Sequence, residues 1–399
     1  MSAVGGLSEA LTARPKLRAA AGFALGAVVL FGVAPLVLSD FRLNLLSKYL
    51  CFAIVAIGIG LAWGRGGLLT LGQGVFFGLG GYAMAMHLKL ADAGPGQMPD
   101  FMVLYGQMDE LPAWWAPFAS PWFAVPATVI LPMLVALVLG LLVFRRRIRG
   151  AYFAILSQAL AGAMAILLIG QQATTGGTNG LTDIDAFFGY DLEDPVNQRT
   201  VYVLIAATVL TLLWLARQLM QSRYGELLVA CRDAEERVRF LGYDPATVKL
   251  VAYVVAAGMA GLAGALFVPA VGIISPALIG IVPSLQFVIG VAVGGRATLL
   301  GPVLGAVAVA WAQTALSEEF PGGWIYLQGL LFVVVVAFLP GGLASITGIL
   351  RRRAAAPVPT AGPGTTPSDA AGPPVPDLDP EPADHVPVPT PATATEGAP

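Results

Sequence analysis

The chain has 399 residues, of which 57% are hydrophobic and only 12% charged, with a mean hydropathy of +0.77. Soluble domains carry about 25% charged residues, so this balance excludes a water-soluble globule. A net charge of −2 leaves no basic surface for nucleic acid.

Arg14, Lys16 and Arg18 form a charged N-terminal segment, residues 1–18, ahead of an apolar run from Ala19 to Leu38. The run matches the ~20 residues that cross a bilayer and exceeds the apolar core of a signal peptide. No A-x-A site closes it, so a first transmembrane helix is predicted. Further spans are predicted near 45–64, 68–90, 122–144, 150–170, 200–220, 248–269, 284–295, 297–316 and 324–346. The 284–295 span is short, and Pro276 and Pro283 interrupt the pattern, so a re-entrant element or an earlier start fits there. The expected fold is all-α, a polytopic bundle of about ten transmembrane helices over residues 19–346. Cys51 falls in a span and Cys231 in a charged stretch. Their spacing suits neither a metal site nor a disulfide, and both read as small apolar fillers.

With the N-terminus inside, only Arg42, Lys48, Lys89 and Arg199 of the 22 Lys and Arg fall outside. This follows the positive-inside rule and places both termini in the cytoplasm. The outer loop from Ala91 to Pro121 has no Lys or Arg but holds Trp114 and Trp115, with Trp122 next to it, as in an interfacial belt. The second outer loop, "QQATTGGTNGLTDIDAFFGYDLEDP", is rich in Gly, Thr and Asp. From Ala354 to Pro399 the chain is Pro, Ala, Thr and Gly with scattered acids. It lacks the apolar side chains to offset ordering entropy and reads as a disordered cytoplasmic tail.

The densest mixed charge lies in "SRYGELLVACRDAEERVRFLGYDP". On a helix over 224–241, Leu227, Cys231, Ala234, Val238 and Leu241 form one apolar stripe. Gly242 suits a helix end. Asp244 suits the cap of the next helix, with Pro245 as its first residue. Two readings fit this elbow. An interfacial helix would lie on lipid, but such helices favour Lys and Arg on the polar face. Here Glu226, Asp233, Glu235 and Glu236 balance Arg223, Arg232, Arg237 and Arg239, which suits a protein partner whose complementary charges set register.

The pattern AxRDxExxxRxxG, carried by Ala230, Arg232, Asp233, Glu235, Arg239 and Gly242, resembles the coupling loop of permeases of the branched-chain amino-acid type of ABC importer. "LTLGQGVFFGLGGYAMA", "GALFVPAVGIISP" and "VGGRATLLGPVLGA" are also similar to that family, and the resemblance covers roughly residues 45–345. "TNGLTD" and "RDAEERVRFLGYDP" look closer to its urea-transporter branch. So do Arg237 and Val238, where the amino-acid permeases often have small residues. The resemblance implies a coupling helix over 224–242 that enters a cleft on an ATP-hydrolysing subunit. It also implies a homologous second permease, two cytoplasmic ATPases, an extracytoplasmic solute-binding protein and a bacterial inner membrane. The outer loops at 91–121 and 171–199 would receive the binding protein. No cofactor is implied.

The chain has no nucleotide loop of its own. Such a loop needs G-x-x-x-x-G-K-[ST], and Lys16, Lys48, Lys89 and Lys249 follow Pro15, Ser47, Leu88 and Val248. Ion-coupled carriers keep Asp, Glu or His within the membrane, whereas the predicted spans hold no Asp or Glu. His87 and Lys89 read as snorkelling at an outer end. No Ser–His, paired-Asp or H-E-x-x-H arrangement suggests an enzyme. An external ATPase is the expected power source. The alternative of a different class is an ATP-independent channel or facilitator.

Gly74 and Gly78, and again Gly301 and Gly305, form G-x-x-x-G pairs that serve close helix packing, alternating-access movement, or both. A path for a small neutral amide needs hydrogen-bonding groups without fixed charge. Thr70, Gln73, Tyr82, Ser157, Gln158, Gln286 and Gln313 are the candidates, each also able to serve as interhelical glue. Gln73 stands out because Gly72 and Gly74 flank it. Arg296 is expected at a turn between two spans. Urea or a short-chain amide is the favoured cargo, with branched-chain amino acids second.

Overall fold

The computed structural model describes residues 15–338, apart from 95, 107–109, 149 and 320–322, together with residue 342. The expected tail, Arg14, Arg149 and Arg351 to Arg353 lie outside the described residues.

The fold is an all-α polytopic bundle. Helix α1, Pro15–Ala27, runs through a π-helical turn at Val28–Val33 to Val37, and α2, Asp40–Ile59, runs through a second π-helical turn at Gly60–Arg65. Next come α3 (Gln73–Ala93), the short α4 (Asp100–Gly106), α5 (Pro121–Arg145) and α6 (Ala151–Gly170). A two-residue hairpin, Ala186–Phe187 with Tyr190–Asp191, precedes α7 (Pro195–Gln221). The elbow holds α8 (Arg223–Asp233) and α9 (Glu235–Phe240). Then follow α10 (Pro245–Val271), α11 (Ile281–Gly294), α12 (Leu300–Glu319) and α13 (Trp324–Phe338). Among the described residues, eight helical stretches are long and apolar enough to cross a membrane. The other two of the ten expected positions are occupied by α3 and by the 15 residues of α13.

Two boundaries differ from the sequence expectation in a way that matters. The span expected at 68–90 begins as a helix only at Gln73, because the chain is not helical from Gly66 to Gly72. Gly67 sits at φ +69°, where a side chain is strained, and this breaks the helix after Arg65. A non-helical segment at membrane depth must find partners for its backbone. Here Leu68 N–H donates to Ala62 O at 3.0 Å, Leu71 N–H to Ser157 Oγ at 3.0 Å and Gly74 N–H to Ser284 Oγ at 3.0 Å. The span expected at 284–295 starts earlier, at Ile281, after a 3₁₀ turn at Pro276–Leu278.

The centre of the bundle is α10, which packs against α2, α3 and α5, while α11 packs against α12. Phe52, Phe77, Phe267 and Phe287 pin α2, α3, α10 and α11 together, with ring centroids 5.2–6.2 Å apart. Helices α3 and α10 cross closely: a side chain on Gly80 would strike the backbone of Gly261, and one on Gly264 the backbone of Phe77. Gly305 approaches Gly290 of α11 in the same way. Gly74 and Gly78 instead face Ile279, in the turn before α11, and Gly301 covers the turn at Gly294 and Gly295. In contrast to α2 and α10, helices α1, α5 and α6 present apolar side chains outward, Leu36, Trp122 and Tyr152 among them.

Candidate functional site

The elbow is two helices, not one. Ser222 caps α8 by accepting from Gly225 N–H, and Ala234, at φ −150° and ψ 63°, parts α8 from α9. Neither glycine nor proline announces this break. Leu228, Cys231 and Val238 then pack on Leu61 at the end of α2 and on Val248 and Ala252 of α10. The Tyr224 hydroxyl donates to Val248 O at 2.7 Å. The predicted stripe is corrected at its ends: Leu228 is buried where Leu227 is only partly so, and Leu241 is 75% exposed. Gly242 turns the chain at φ +87°. The Asp244 carboxylate caps α10 by accepting from the Ala246 and Thr247 amides. The bond from the Thr247 hydroxyl, with those amides, holds the Asp244 carboxyl below the usual carboxylate range. Burial pushes the Cys231 thiol up.

Several of the expected docking charges are engaged within the chain. Arg232 Nη1 donates to Gly64 O at 2.8 Å, and its Nε and Nη2 grip both Asp233 carboxylate oxygens at 2.7 and 3.1 Å. This fork lowers the Asp233 carboxyl below its ordinary range and raises the Arg232 guanidinium. The Arg232 stem also fills the space beside Gly67. One residue before Gly64, Trp63 carries the Arg296 guanidinium over its ring at 4.9 Å. Glu235 turns inward, accepting from Lys249 Nζ at 2.7 Å and pairing with Arg239 at 3.6 Å. Ala230, Asp233, Glu236, Arg237 and Gly242 remain exposed. Beside them stand two side chains the sequence reading passed over, Phe240 at 90% exposure and Tyr243 at 55%. Their only signal was that they fall off the apolar stripe.

The candidate path residues divide. Thr70, Gln73 and Tyr253 are all 1% exposed or less. The Thr70 and Tyr253 hydroxyls lie close enough to interact, yet neither completes a hydrogen bond of ordinary geometry, and both amide atoms of Gln73 lack a partner. An unpartnered buried group of this kind costs about 1–3 kcal/mol. Tyr253 was not singled out from the sequence, because a tyrosine in an apolar span reads as core. Gln286 is paired through its amide with Gln313, joining α11 to α12. Ser157 holds the Leu71 amide and Gln158 is half-buried. Tyr82 lies elsewhere, lining an apolar groove of about 860 Å³ with Trp115, Trp122, Ile130 and Leu168.

The loops next to this groove are tied to the end of α3. His87, 3% exposed, bonds Phe118 O through Nδ1 at 2.7 Å, and Lys89 Nζ donates to Asp183 O at 2.7 Å. Neither side chain snorkels as expected; both hold loops. Trp115 Nε1 donates to Thr174 O at 3.0 Å, and Leu181 pairs with Ile274 in an antiparallel bridge.

A bundle of membrane-length helices with a charged elbow, and with neutral hydrogen-bonding groups buried inside it, defines a polytopic permease. A sequence profile described as branched-chain amino acid transport system / permease component matches residues 41–340, and the chain belongs to that family. Two relatives are similar to it along most of their length. One is the high-affinity branched-chain amino acid transport system permease protein LivM of Salmonella typhimurium, 25% identical over 350 residues, covering 81% of this chain and 75% of the relative. The other is LivM of Escherichia coli K12, 25% identical over 351 residues, with 82% and 75% covered. No solved structure matches the chain.

Proposed function

We propose that this chain is the transmembrane subunit of an ATP-driven importer, with its elbow docked on a separate ATPase in the cytoplasm. The carrying observation is the outward face of the elbow. Phe240, Leu241 and Tyr243 stand exposed beside Asp233, Glu236 and Arg237. An exposed aromatic ringed by charges of both signs is the composition of a protein interface rather than a lipid-surface helix. The chain holds no nucleotide loop, so the energy comes from the partner. A homologous second permease and an extracytoplasmic binding protein complete the assembly, the latter received by the loops at 91–121 and 171–199. Both termini are cytoplasmic in this reading, which the distribution of Lys and Arg supports.

The favoured cargo is urea or a short-chain amide, because the groups buried without partners are neutral. Branched-chain amino acids are the second reading, favoured by the names of the two relatives. The test is a pull-down from membranes through a tag on this chain, combined with uptake before and after ATP depletion. Co-purification of an ATPase and loss of uptake on depletion are expected. Uptake that persists without ATP, with no ATPase recovered, establishes a facilitator instead.

A further inference from the structure

The neutral groups around Tyr253 form one node although they come from distant parts of the chain. The Tyr253 ring meets Phe153 of α6 at 5.3 Å and Phe76 of α3 at 5.5 Å. Phe76 is one turn above Gln73. One turn along α6 from Phe153, Ser157 holds the Leu71 amide and leaves no room for a side chain on Gly72. Thr70 and Gln73 are therefore carried to the same place as Tyr253, where the non-helical segment ends and α3 begins.

The node lies deep. Ser284, which holds the Gly74 amide, is ten residues before the end of α11 at Gly294, about 15 Å along the helix. Tyr253 is eight residues after Pro245, the start of α10, about 12 Å along it. Both estimates put the node inside a hydrocarbon core about 30 Å thick, nearer the elbow end of α10 than its middle. Val, Met and Phe match the shapes of Thr, Gln and Tyr without their free polar atoms, so packing alone gives no reason for these residue types. Local rules are broken in this way where a site has a task.

We propose that Thr70, Gln73 and Tyr253 form a buried intramembrane binding site for a neutral carboxamide or urea group. The Gln73 amide offers a donor and an acceptor in one plane, the pattern that pairs with another amide, and each hydroxyl can donate or accept. A zwitterion would need opposite charges close by, and none of the three residues carries one. Gly74 N–H, the second amide of α3, is already bound by Ser284 and is not available to a carboxylate. The assignment rests on the importer reading and adds to it the residues that meet the cargo.

The experiment compares wild type with Thr70→Val, Gln73→Met and Tyr253→Phe in cells whose own copy is deleted. It measures uptake of labelled urea, acetamide and leucine, together with the temperature at which the tagged chain is lost from detergent extracts of the same membranes. Removing a buried group that lacks a partner leaves the melting temperature unchanged or raises it. The expected result is that melting with at least a tenfold loss of urea and acetamide uptake in Gln73→Met and Tyr253→Phe. Undiminished uptake in those two variants overturns the site. A melting temperature lowered in step with uptake assigns the residues to packing and also overturns it. Wild-type uptake of leucine without urea or acetamide overturns the ligand class. Absence of any ATP-dependent uptake in wild type defeats the importer reading, and the site with it, before any variant is compared.

Discussion

The Arg232 guanidinium donates to the Gly64 carbonyl at 2.8 Å, tying the first helix of the elbow to the last turn of α2. The non-helical segment from Gly66 to Gly72 starts two residues further on and ends at Gln73. The elbow and the buried polar node are thus joined by a single short stretch of backbone. Arg232→Lys is expected to leave ATPase co-purification intact while lowering ATP-dependent uptake about tenfold. Lysine is a point charge on a flexible stem and cannot hold both Gly64 and the two Asp233 oxygens as the planar fork does. Loss of the ATPase from the pull-down would show instead that Arg232 serves docking.

Phe240 makes the complementary prediction. At 90% exposure it contributes little to the fold. A central aromatic in an interface is worth about 2 kcal/mol or more. Phe240→Ala is expected to weaken ATPase co-purification at least tenfold with an unchanged melting temperature. Retention of the ATPase at wild-type level would remove Phe240 from the interface.

The Glu235–Lys249 pair closes the elbow against α10, with both side chains largely shielded from solvent. Glu235→Gln leaves Lys249 without its counter-charge and is expected to cost about 1–2 kcal/mol, between the values of exposed and buried pairs. The readout is the melting temperature of the detergent-extracted chain. The swap Glu235→Lys with Lys249→Glu is expected to recover part of the loss, the remainder reflecting the like charge that Arg239 then meets. A swap no better than the single change would mean that geometry, not charge, is what counts here.

Asp244 links stability to pH. Its carboxyl is held below the ordinary carboxylate range near 4, so the folded state prefers it ionised. The cap is therefore fully present at neutral pH and above the unfolded value, and is lost as pH falls through the lowered folded value. Asp244→Ala is expected to cost about 1 kcal/mol at pH 7, as N-caps do. The gap from wild type should stay flat from pH 8 to 5 and narrow only at more acidic pH. A gap that narrows between pH 8 and 6 would rule out the carboxylate as its source.

Much of this protein is legible in one dimension. Span positions follow from runs of apolar residues, because a bilayer about 30 Å thick demands helices of a set length whatever their neighbours. The elbow stands out because nine charged residues crowd the 24 residues from Ser222 to Pro245 in a chain only 12% charged, and the Asp244 cap reads from a local pattern of Asp and Pro. The packing glycines were only half legible. Gly74 and Gly78 match a helix-pair motif yet face the turn at Ile279, while Gly80 and Gly261, which do cross, meet through a register no single helix displays.

What the sequence determined by itself was therefore the membrane class, the number and placing of the long apolar segments, and the site of the elbow, all of which depend on local composition. Tertiary structure alone decided which way the charged residues turn and which neutral ones meet. Glu235 faces inward because Lys249, 14 residues on, waits there. Tyr253 gains its meaning only beside Thr70, from which 182 residues of chain separate it. Contacts of that kind are set by how the helices pack, and a residue's own neighbours in sequence carry no trace of them.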